Sequence, residues 1–278
     1  MPSYRKKHVK NKIYKIKPKK SIFKKLWFWL LVLALVFVAL SSYLLFFYQG
    51  LQVESIFISG NQKAKTYDLE EIISGKINIK LLDLGFFKLS TKSILLIDPK
   101  KINQEILVQF PVIKTISINK KYPKTLVFGI SERKPIGVYC AGDTTEEYFL
   151  IDEDGITFEK LDLMPDNATI VRQTFENGEV FVGKKVVSAS IIRAITEIQK
   201  NLKDNFQIDL KEALVVSPLR MDATINEGWQ IYFSLDPDSD INTQLVKLNL
   251  LLSGEILPES RKNLEYIDLR FKDRAFYK

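Results

Sequence analysis

Residues 26–48 read LWFWLLVLALVFVALSSYLLFFY and contain no charged residue, no glycine and no proline. A helix over these residues would reach roughly 34 Å, which exceeds the hydrocarbon core of a bilayer at about 30 Å. A helix also satisfies its own backbone hydrogen bonds inside lipid. The stretch from Leu26 to Tyr48 therefore predicts a transmembrane helix that divides the chain into a short tail and a long folded part.

The residues on either side of this helix predict its orientation. Residues 1–25 contain eleven lysines and arginines and no acidic residue, whereas the first basic residue after the helix is Lys63. The positive-inside rule then places the tail in the cytoplasm and residues 50–278 outside it. The alternative is a cleaved signal peptide with a small-x-small site at Ala39–Ser41, but the apolar run is longer than the hydrophobic region of a signal peptide.

Charge and rare residues restrict the classes of function. The formal charge of +8 comes from the tail, because the rest of the chain has a slight acidic excess. Basic residues beside a membrane helix attract anionic lipid, and we rank nucleic acid well behind membrane lipid as a partner. The one cysteine is Cys140, and the one histidine, His8, lies in the tail. We therefore expect no enzyme activity, no cofactor, no metal and no small-molecule substrate.

The first segments after the helix predict a small α+β domain. Residues 51–61 alternate like a strand and end in a Gly-Asn turn. Two helices follow, one capped by Thr66 and ending at Gly75, the other beginning at Asp98-Pro99. Two alternating strands after Pro111 complete the order strand, helix, helix, strand, strand. Residues 76–97 are apolar without clear periodicity, and they could pack over this domain or lie against the membrane surface.

The remaining residues predict a mixed, strand-rich domain with two helices. Residues 148–158 indicate a hairpin, and residues 188–203 place isoleucines and a leucine on one helical face. Residues 219–235 form the clearest hairpin pattern of the chain. Asp240 is placed to cap a second helix, which carries Ile241, Leu245, Leu248 and Leu252 on one stripe. A last strand is predicted from Ile267 through Leu269 and Phe271 into residues 275–277.

Several of these segments together resemble a POTRA domain of the kind found in the FtsQ/DivIB family of bacterial cell-division proteins. The closing segment 266–271, YIDLRF, resembles the last strand of that family's β domain, and the Asp152 to Gly155 turn resembles its first hairpin. The resemblance covers nearly the whole chain, and it is weakest at residues 76–97 and 160–187. The POTRA landmarks in this sequence are Gly60, Asn61, Pro111, Pro123, Glu132, Arg133 and Pro135.

The aspartates of two turns are the candidates for a metal site. Residues 152–154 and the alternating Asp236, Asp238 and Asp240 are spaced somewhat like calcium ligands, but neither run is followed by the bidentate glutamate of a calcium loop. Turn formation and helix capping explain both runs, so we predict no metal site.

The last strand is the candidate partner-binding site. A terminal strand can leave a sheet edge whose free N–H and C=O groups accept a strand from another protein. We expect Ile267 and Leu269 to face the core. Because the family resemblance implies that the closing strand and the helix before it bind a partner, we predict that Phe271, Asp273, Arg274 and Phe276 contact it.

The resemblance implies a divisome scaffold with four parts: a basic cytoplasmic tail (1–25), a transmembrane helix (26–48), a POTRA domain (51–133) and a C-terminal β domain (134–278). It implies bitopic coiled-coil partners of the FtsB and FtsL type and other divisome membrane proteins. It also implies control of septal peptidoglycan synthesis, and a location in the cytoplasmic (inner) membrane at the division septum. Two alternatives are a POTRA-containing export or outer-membrane assembly factor and a membrane-anchored cell-wall hydrolase.

Overall fold

The computed structural model describes residue 23 and residues 25–86, 88–141, 147–175 and 178–278. The predicted basic tail lies outside the described residues except for Phe23 and Lys25. Helix α1 (Leu26–Phe47) is the one helix among the described residues that is long and apolar enough to cross a membrane. None of its residues is buried, and Tyr48 ends it by donating its backbone N–H to the carbonyl of Leu44 at 3.0 Å. The predicted span is thus confirmed as a helix with Tyr48 as its C-cap.

A first folded unit, built around a three-stranded sheet, follows α1. Its elements are β1 (Ser55–Ser59), α2 (Thr66–Ile77), β2 (Ile79–Asp83), β3 (Lys88–Thr91), α3 (Pro99–Gln109), β4 (Ile113–Lys121) and β5 (Thr125–Glu132). The sheet order is β1-β5-β4, with β1 parallel and β4 antiparallel to the central strand. The predicted order of strand, helix, helix, strand, strand is confirmed. The hairpin β2–β3, which was not predicted, lies between the two helices and forms a separate two-stranded sheet.

Local sequence explains the helices of this first unit. The Asp98 carboxylate accepts the N–H of Lys100 at 3.0 Å and Pro99 occupies the first turn, so α3 begins where predicted. The predicted cap of α2 is wrong: Lys65 is the N-cap, and Thr66 is already helical and accepts a hydrogen bond from Asn61 at 3.0 Å. The first unit has its own buried cluster, centred on Leu69, Ile73, Ile94, Ile106, Ile113, Leu126 and Phe128.

A nine-stranded mixed sheet forms the second unit. Its elements are β6 (Gly137–Ala141), β7 (Glu147–Ile151), β8 (Thr157–Leu161), β9 (Ile170–Gln173), α4 (Ala189–Phe206), β10 (Leu210–Ser217), β11 (Arg220–Ile225), β12 (Gln230–Ser234), α5 (Ile241–Gly254), β13 (Tyr266–Asp268) and β14 (Phe276–Tyr277). The strand order is β14-β13-β12-β11-β10-β9-β6-β7-β8. The predicted fold class is confirmed: an α+β protein with one apolar N-terminal helix and a strand-rich mixed C-terminal part.

Helices α4 and α5 pack on the large sheet through their apolar faces. Ile192, Ile195, Ile198 and Leu202 of α4 and Leu245, Leu248 and Leu252 of α5 belong to one buried cluster with the sheet residues. The predicted cap of α5 is present, because the Asp240 carboxylate accepts the N–H groups of Asn242 and Thr243. Helix α4 is capped in the same way by Ser188, whose hydroxyl accepts the N–H of Ile191. The predicted hairpin at 219–235 is confirmed as β11–β12, where Ala223 pairs with Ile231.

The predicted landmarks join the two units. The Glu132 carboxylate accepts the backbone N–H groups of Gln62, Lys63 and Ala64 at 2.8 to 3.0 Å. Burial acts to raise the pKa of Glu132, but these N–H groups and the Lys63 charge outweigh it, so the pKa lies below its usual value. Arg133 donates to the Pro111 carbonyl at 2.9 Å and pairs with the buried Asp152. Arg133, directly after β5, therefore contacts both units, while Glu132 ties the end of β5 to the turn before α2.

The other landmarks serve local geometry. Gly60 has φ +91°, and a Cβ there would lie 2.1 Å from the carbonyl oxygen of Ile130, so glycine is required. The amide of Asn61 donates to the Ala64 carbonyl at 2.8 Å, which holds the turn before α2. Pro123 lies in the turn between β4 and β5, and Pro135 lies exposed between β5 and β6.

One predicted element is wrong. Strand β13 ends at Asp268, so Phe271, Asp273 and Arg274 do not continue it. The chain turns back, and Phe276 and Tyr277 pair antiparallel with Asp268 and Ile267. The physical reason is a side-chain turn: the Asp268 carboxylate accepts the backbone N–H of Arg270 at 3.1 Å, which takes that group out of the strand ladder.

Candidate partner-binding surface

The edge of the nine-stranded sheet at the C-terminus is formed by β14. Tyr266 and Lys278 exchange backbone hydrogen bonds, with N–O distances of 3.4 and 3.1 Å. In an antiparallel ladder the neighbouring pair, Ile267 and Tyr277, then turns its backbone groups away from each other. The N–H and C=O of Tyr277 consequently point outward from the sheet. This outer side of β14 is a short edge to which another strand could add.

The predicted contact residues surround this edge. Phe276 belongs to β14, while Phe271, Asp273 and Arg274 lie in the loop that leads to it. The rings of Phe271 and Phe276 meet edge to face, with centroids 5.1 Å apart, although 46% and 45% of these residues remain exposed. We call Phe271, Asp273, Arg274, Phe276 and Tyr277 the C-terminal edge. A shallow pocket of about 390 Å³ is lined by Phe271, Lys272, Asp273, Arg274 and Phe276.

Helix α5 holds the C-terminal edge in place. The Lys247 ammonium group donates to the carbonyls of Leu269 at 3.1 Å and Phe271 at 2.6 Å. Burial lowers the pKa of Lys247, and the nearby charges of Asp273 and Asp268 raise it only in part. Two turns further on, Glu255, the C-cap of α5, accepts a hydrogen bond from the hydroxyl of Tyr277 at 3.2 Å, which raises the pKa of Tyr277. These contacts position the loop and β14 against one face of the helix.

A neighbouring face of α5 is apolar and exposed. Val246 and Leu250 lie one turn apart on it, and Leu257 follows beyond the end of the helix; Leu250 is 69% exposed. We call Val246, Leu250 and Leu257 the α5 stripe. The sequence analysis missed these residues because it predicted a single apolar stripe on this helix, formed by Ile241, Leu245, Leu248 and Leu252. The available signal was that segment 245–252 carries more apolar residues than a single buried face can use.

The opposite face of the sheet, beside the edge, carries a stack of arginine and tyrosine side chains. The ring of Tyr232 lies between the guanidinium groups of Arg220 and Arg270, at 5.0 and 5.5 Å, and stacks on Tyr266 at 5.5 Å. The pKa of Asp268 is lowered, because its bonds to Arg270 outweigh the effect of burial. These stacked and paired side chains stabilise β12 and β13, on which the edge rests.

The candidate calcium ligands have structural partners. Asp152 accepts the backbone N–H groups of Asp154 and Ile156, at 3.0 and 2.9 Å, in addition to binding Arg133. Asp236 accepts the N–H of Asp238, and Asp240 caps α5. Among the residues that the structure describes, no group of three or more acidic, histidine or cysteine side chains could hold a metal ion.

The fold and this edge define a class: an α+β protein with one candidate membrane helix, a small three-stranded unit and a large mixed sheet that ends in an exposed strand. Residues 142–270 match the family model described as Cell division protein FtsQ/DivIB, C-terminal. The chain is 26% identical over 260 residues to the cell division protein FtsQ of Neisseria gonorrhoeae, a match that spans 88% of this chain and 87% of that protein.

The chain is therefore similar to the FtsQ/DivIB family over its C-terminal part and to a cell division protein over most of its length, in agreement with the resemblance seen in its sequence, and this similarity supports a role in cell division. This similarity supports partners among the membrane proteins of the divisome, and together with the apolar helix α1 it supports a single-pass membrane protein. The family match includes α5 and β13 and ends at Arg270, so the C-terminal edge lies just beyond it.

Proposed function

We propose that this protein is a divisome scaffold that binds bitopic coiled-coil proteins of the FtsB and FtsL type and so helps to control septal peptidoglycan synthesis. Residues 1–25 would lie in the cytoplasm, and residues 51–133 and 134–278 would form a POTRA domain and a β domain on the other side of the membrane at the septum. The scaffold role requires no catalysis by this chain.

The observation that carries the proposal is the C-terminal edge next to the α5 stripe. A partner strand could bond to the outward N–H and C=O of Tyr277, while its apolar side chains pack on Phe271 and Phe276. A partner helix preceding that strand could cover Val246 and Leu250. Exposed apolar side chains that cluster beside a free strand edge are typical of a protein interface.

Anchoring in the same membrane would assist this binding. Two single-pass proteins that share a membrane meet at a high effective concentration, so weak contacts along several segments add up to stable association. The charged residues of the C-terminal edge, Asp273 and Arg274, would then select among partners more than they add affinity.

Site-specific photocrosslinking in living cells tests the proposal. A photoreactive residue is placed at Phe271 or at Leu250, and the captured protein is identified by mass spectrometry. The matched control is Leu163, which is exposed at the opposite edge of the same sheet, just after β8. We expect a small bitopic coiled-coil division protein from Phe271 and Leu250 and not from Leu163.

Other outcomes would contradict the proposal. Capture of outer-membrane protein precursors from Phe271 would favour the export or assembly factor. A folded and inserted protein that gives no product from either position would mean that this surface is not the partner site. Release of peptidoglycan fragments by the purified protein would favour the hydrolase.

A further inference from the structure

The hairpin β2–β3 has one polar and one apolar face. In its register Lys80 pairs with Ser90 and Asp83 with Lys88, which puts these four residues on the same face. The other face carries the pairs Ile79 with Thr91 and Leu82 with Leu89. A bulge at Leu81 keeps the two faces separate, because it shifts the alternation of β2 by one residue.

The apolar face has little protein to cover it beyond its base. Ile79 packs against the core of the first unit, but Leu81 and Leu82 are exposed further out. The exposure increases at the tip, where Leu84 is 54% and Phe86 is 93% exposed. Exposed large apolar side chains in such a row indicate a binding surface, because covering them with another apolar surface would release the water in contact with them.

The base of the hairpin is bound to the end of α1. Ser93 donates its hydroxyl to the carbonyl of Leu45 at 3.0 Å, and Thr91 donates to the carbonyl of Phe46. The amide of Gln52 donates to the same Phe46 carbonyl at 2.8 Å. These side chains satisfy carbonyls that the last turn of a helix leaves free. The hairpin thus starts at the point where α1 would leave the membrane.

The hydrogen bond from Thr91 also relates the two faces to the membrane. Thr91 shares a face with Ile79, Leu82 and Leu89, and its side chain contacts the end of α1. The apolar face is therefore the face that is turned to the membrane helix. The tip of the hairpin, at Gly85, is six residues from its base at Ile79 and therefore extends no more than roughly 20 Å from this point, which keeps the hairpin within reach of the bilayer surface.

We propose that β2–β3 lies on the membrane that α1 crosses, with Leu82, Leu84 and Phe86 inserted among the lipid headgroups and upper acyl chains. Lys80 and Lys88 on the opposite face and Lys92 beyond β3 are placed to meet anionic headgroups. The hairpin acts as a second membrane contact, which limits how the first unit can tilt and rotate about the end of α1. This inference rests on the membrane anchorage in the proposed function.

Spin-label accessibility in the reconstituted full-length protein tests this inference. Single cysteines replace Leu84 or Phe86, and the unsubstituted chain, whose one cysteine is the buried Cys140, serves as the labelling blank. Val108→Cys provides an exposed site on α3, and Leu35→Cys a site on α1. Vesicles of phosphatidylethanolamine with phosphatidylglycerol are compared with vesicles that lack the anionic lipid. The readout is collision with oxygen, which concentrates in lipid, relative to a water-soluble nickel chelate.

We expect labels at positions 84 and 86 to show an oxygen-to-nickel ratio several-fold above that at position 108, approaching that at position 35. We expect the ratio at position 86 to fall when phosphatidylglycerol is left out. Equal ratios at positions 84, 86 and 108, with position 35 in lipid, would overturn only this inference. Labels at 84 and 86 that neither reagent reaches would also overturn it, because they would be covered by protein. A nickel-accessible label at position 35 would overturn the membrane anchorage itself, and this inference with it.

Discussion

Replacing Asp152 by alanine is expected to destabilise the fold strongly, because this carboxylate is 1% exposed and has three partners. One oxygen accepts the N–H groups of Asp154 and Ile156, and the other binds the guanidinium of Arg133. Losing one partner of a buried ion pair costs about 3 to 5 kcal/mol. Arg133 is partly exposed and could recover some hydration, so we expect the lower part of that range, about 3 kcal/mol.

The assay is urea unfolding of the full-length protein in detergent, followed by circular dichroism. Glu153→Ala is the matched control, because Glu153 is the next residue and its carboxylate pairs with Lys114 while 70% of the side chain is exposed. An exposed pair contributes about 0 to 1 kcal/mol, so the control should unfold close to the unsubstituted protein. Equal losses of stability in both variants would refute the argument that burial of Asp152 makes its contacts strong. A loss below about 1 kcal/mol in Asp152→Ala would refute it as well.

Other predictions concern the first unit and the α5 stripe. Folding lowers the pKa of Glu132, so the stability that its carboxylate contributes is present above its usual pKa of 4.5 and is lost as the pH falls through the folded pKa. Glu132→Gln should therefore be less stable at neutral pH. In pH-dependent urea unfolding it should also lose less stability on acidification than the unsubstituted protein. Gly60→Ala should cost about 1 to 3 kcal/mol in the same assay. Gly75→Ala, in helix α2 with open space around it, should be neutral or stabilise the protein by up to about 1 kcal/mol. Equal effects would contradict the argument that a side chain at position 60 strains the backbone. Leu250→Ala should change stability by less than about 0.5 kcal/mol but should reduce crosslinking of the partner from Phe271. Leu248→Ala, at the buried neighbour, should cost about 2 to 5 kcal/mol. Unchanged crosslinking in Leu250→Ala would exclude the α5 stripe from the interface.

Local sequence determined most of the helices and one hairpin. An uninterrupted apolar run is sufficient for α1, because a helix is the form in which a single segment satisfies its own backbone hydrogen bonds in lipid. Asp98 and Asp240 mark helix starts through bonds to residues two or three positions away, which short-range patterns reveal. The β11–β12 hairpin was predictable for the same reason, since its alternating strands are joined by a tight turn.

The site was only partly predictable. The sequence pointed to the end of the chain and to Phe271 and Phe276, whose rings the structure brings together. It did not reveal the outward-facing backbone of Tyr277 or the contact between Lys247 and Phe271, because both depend on the chain turning back after Arg270. The exposed Val246 and Leu250 look the same in sequence as the buried leucines beside them.

What the sequence by itself determined is the order of the elements: a membrane-length helix, a strand-helix-helix-strand-strand unit and a strand-rich part with two helices. Only the tertiary structure decided how the strands pair, which of their faces are covered and where the units touch. The amphipathic β2–β3 hairpin depends on a one-residue bulge that reverses the alternation, and the Arg133–Asp152 pair joins residues from the two units. Pairing of strands and burial of charges are set by contacts between distant residues, and a shift of one residue in register would turn every side chain of a strand to the other face.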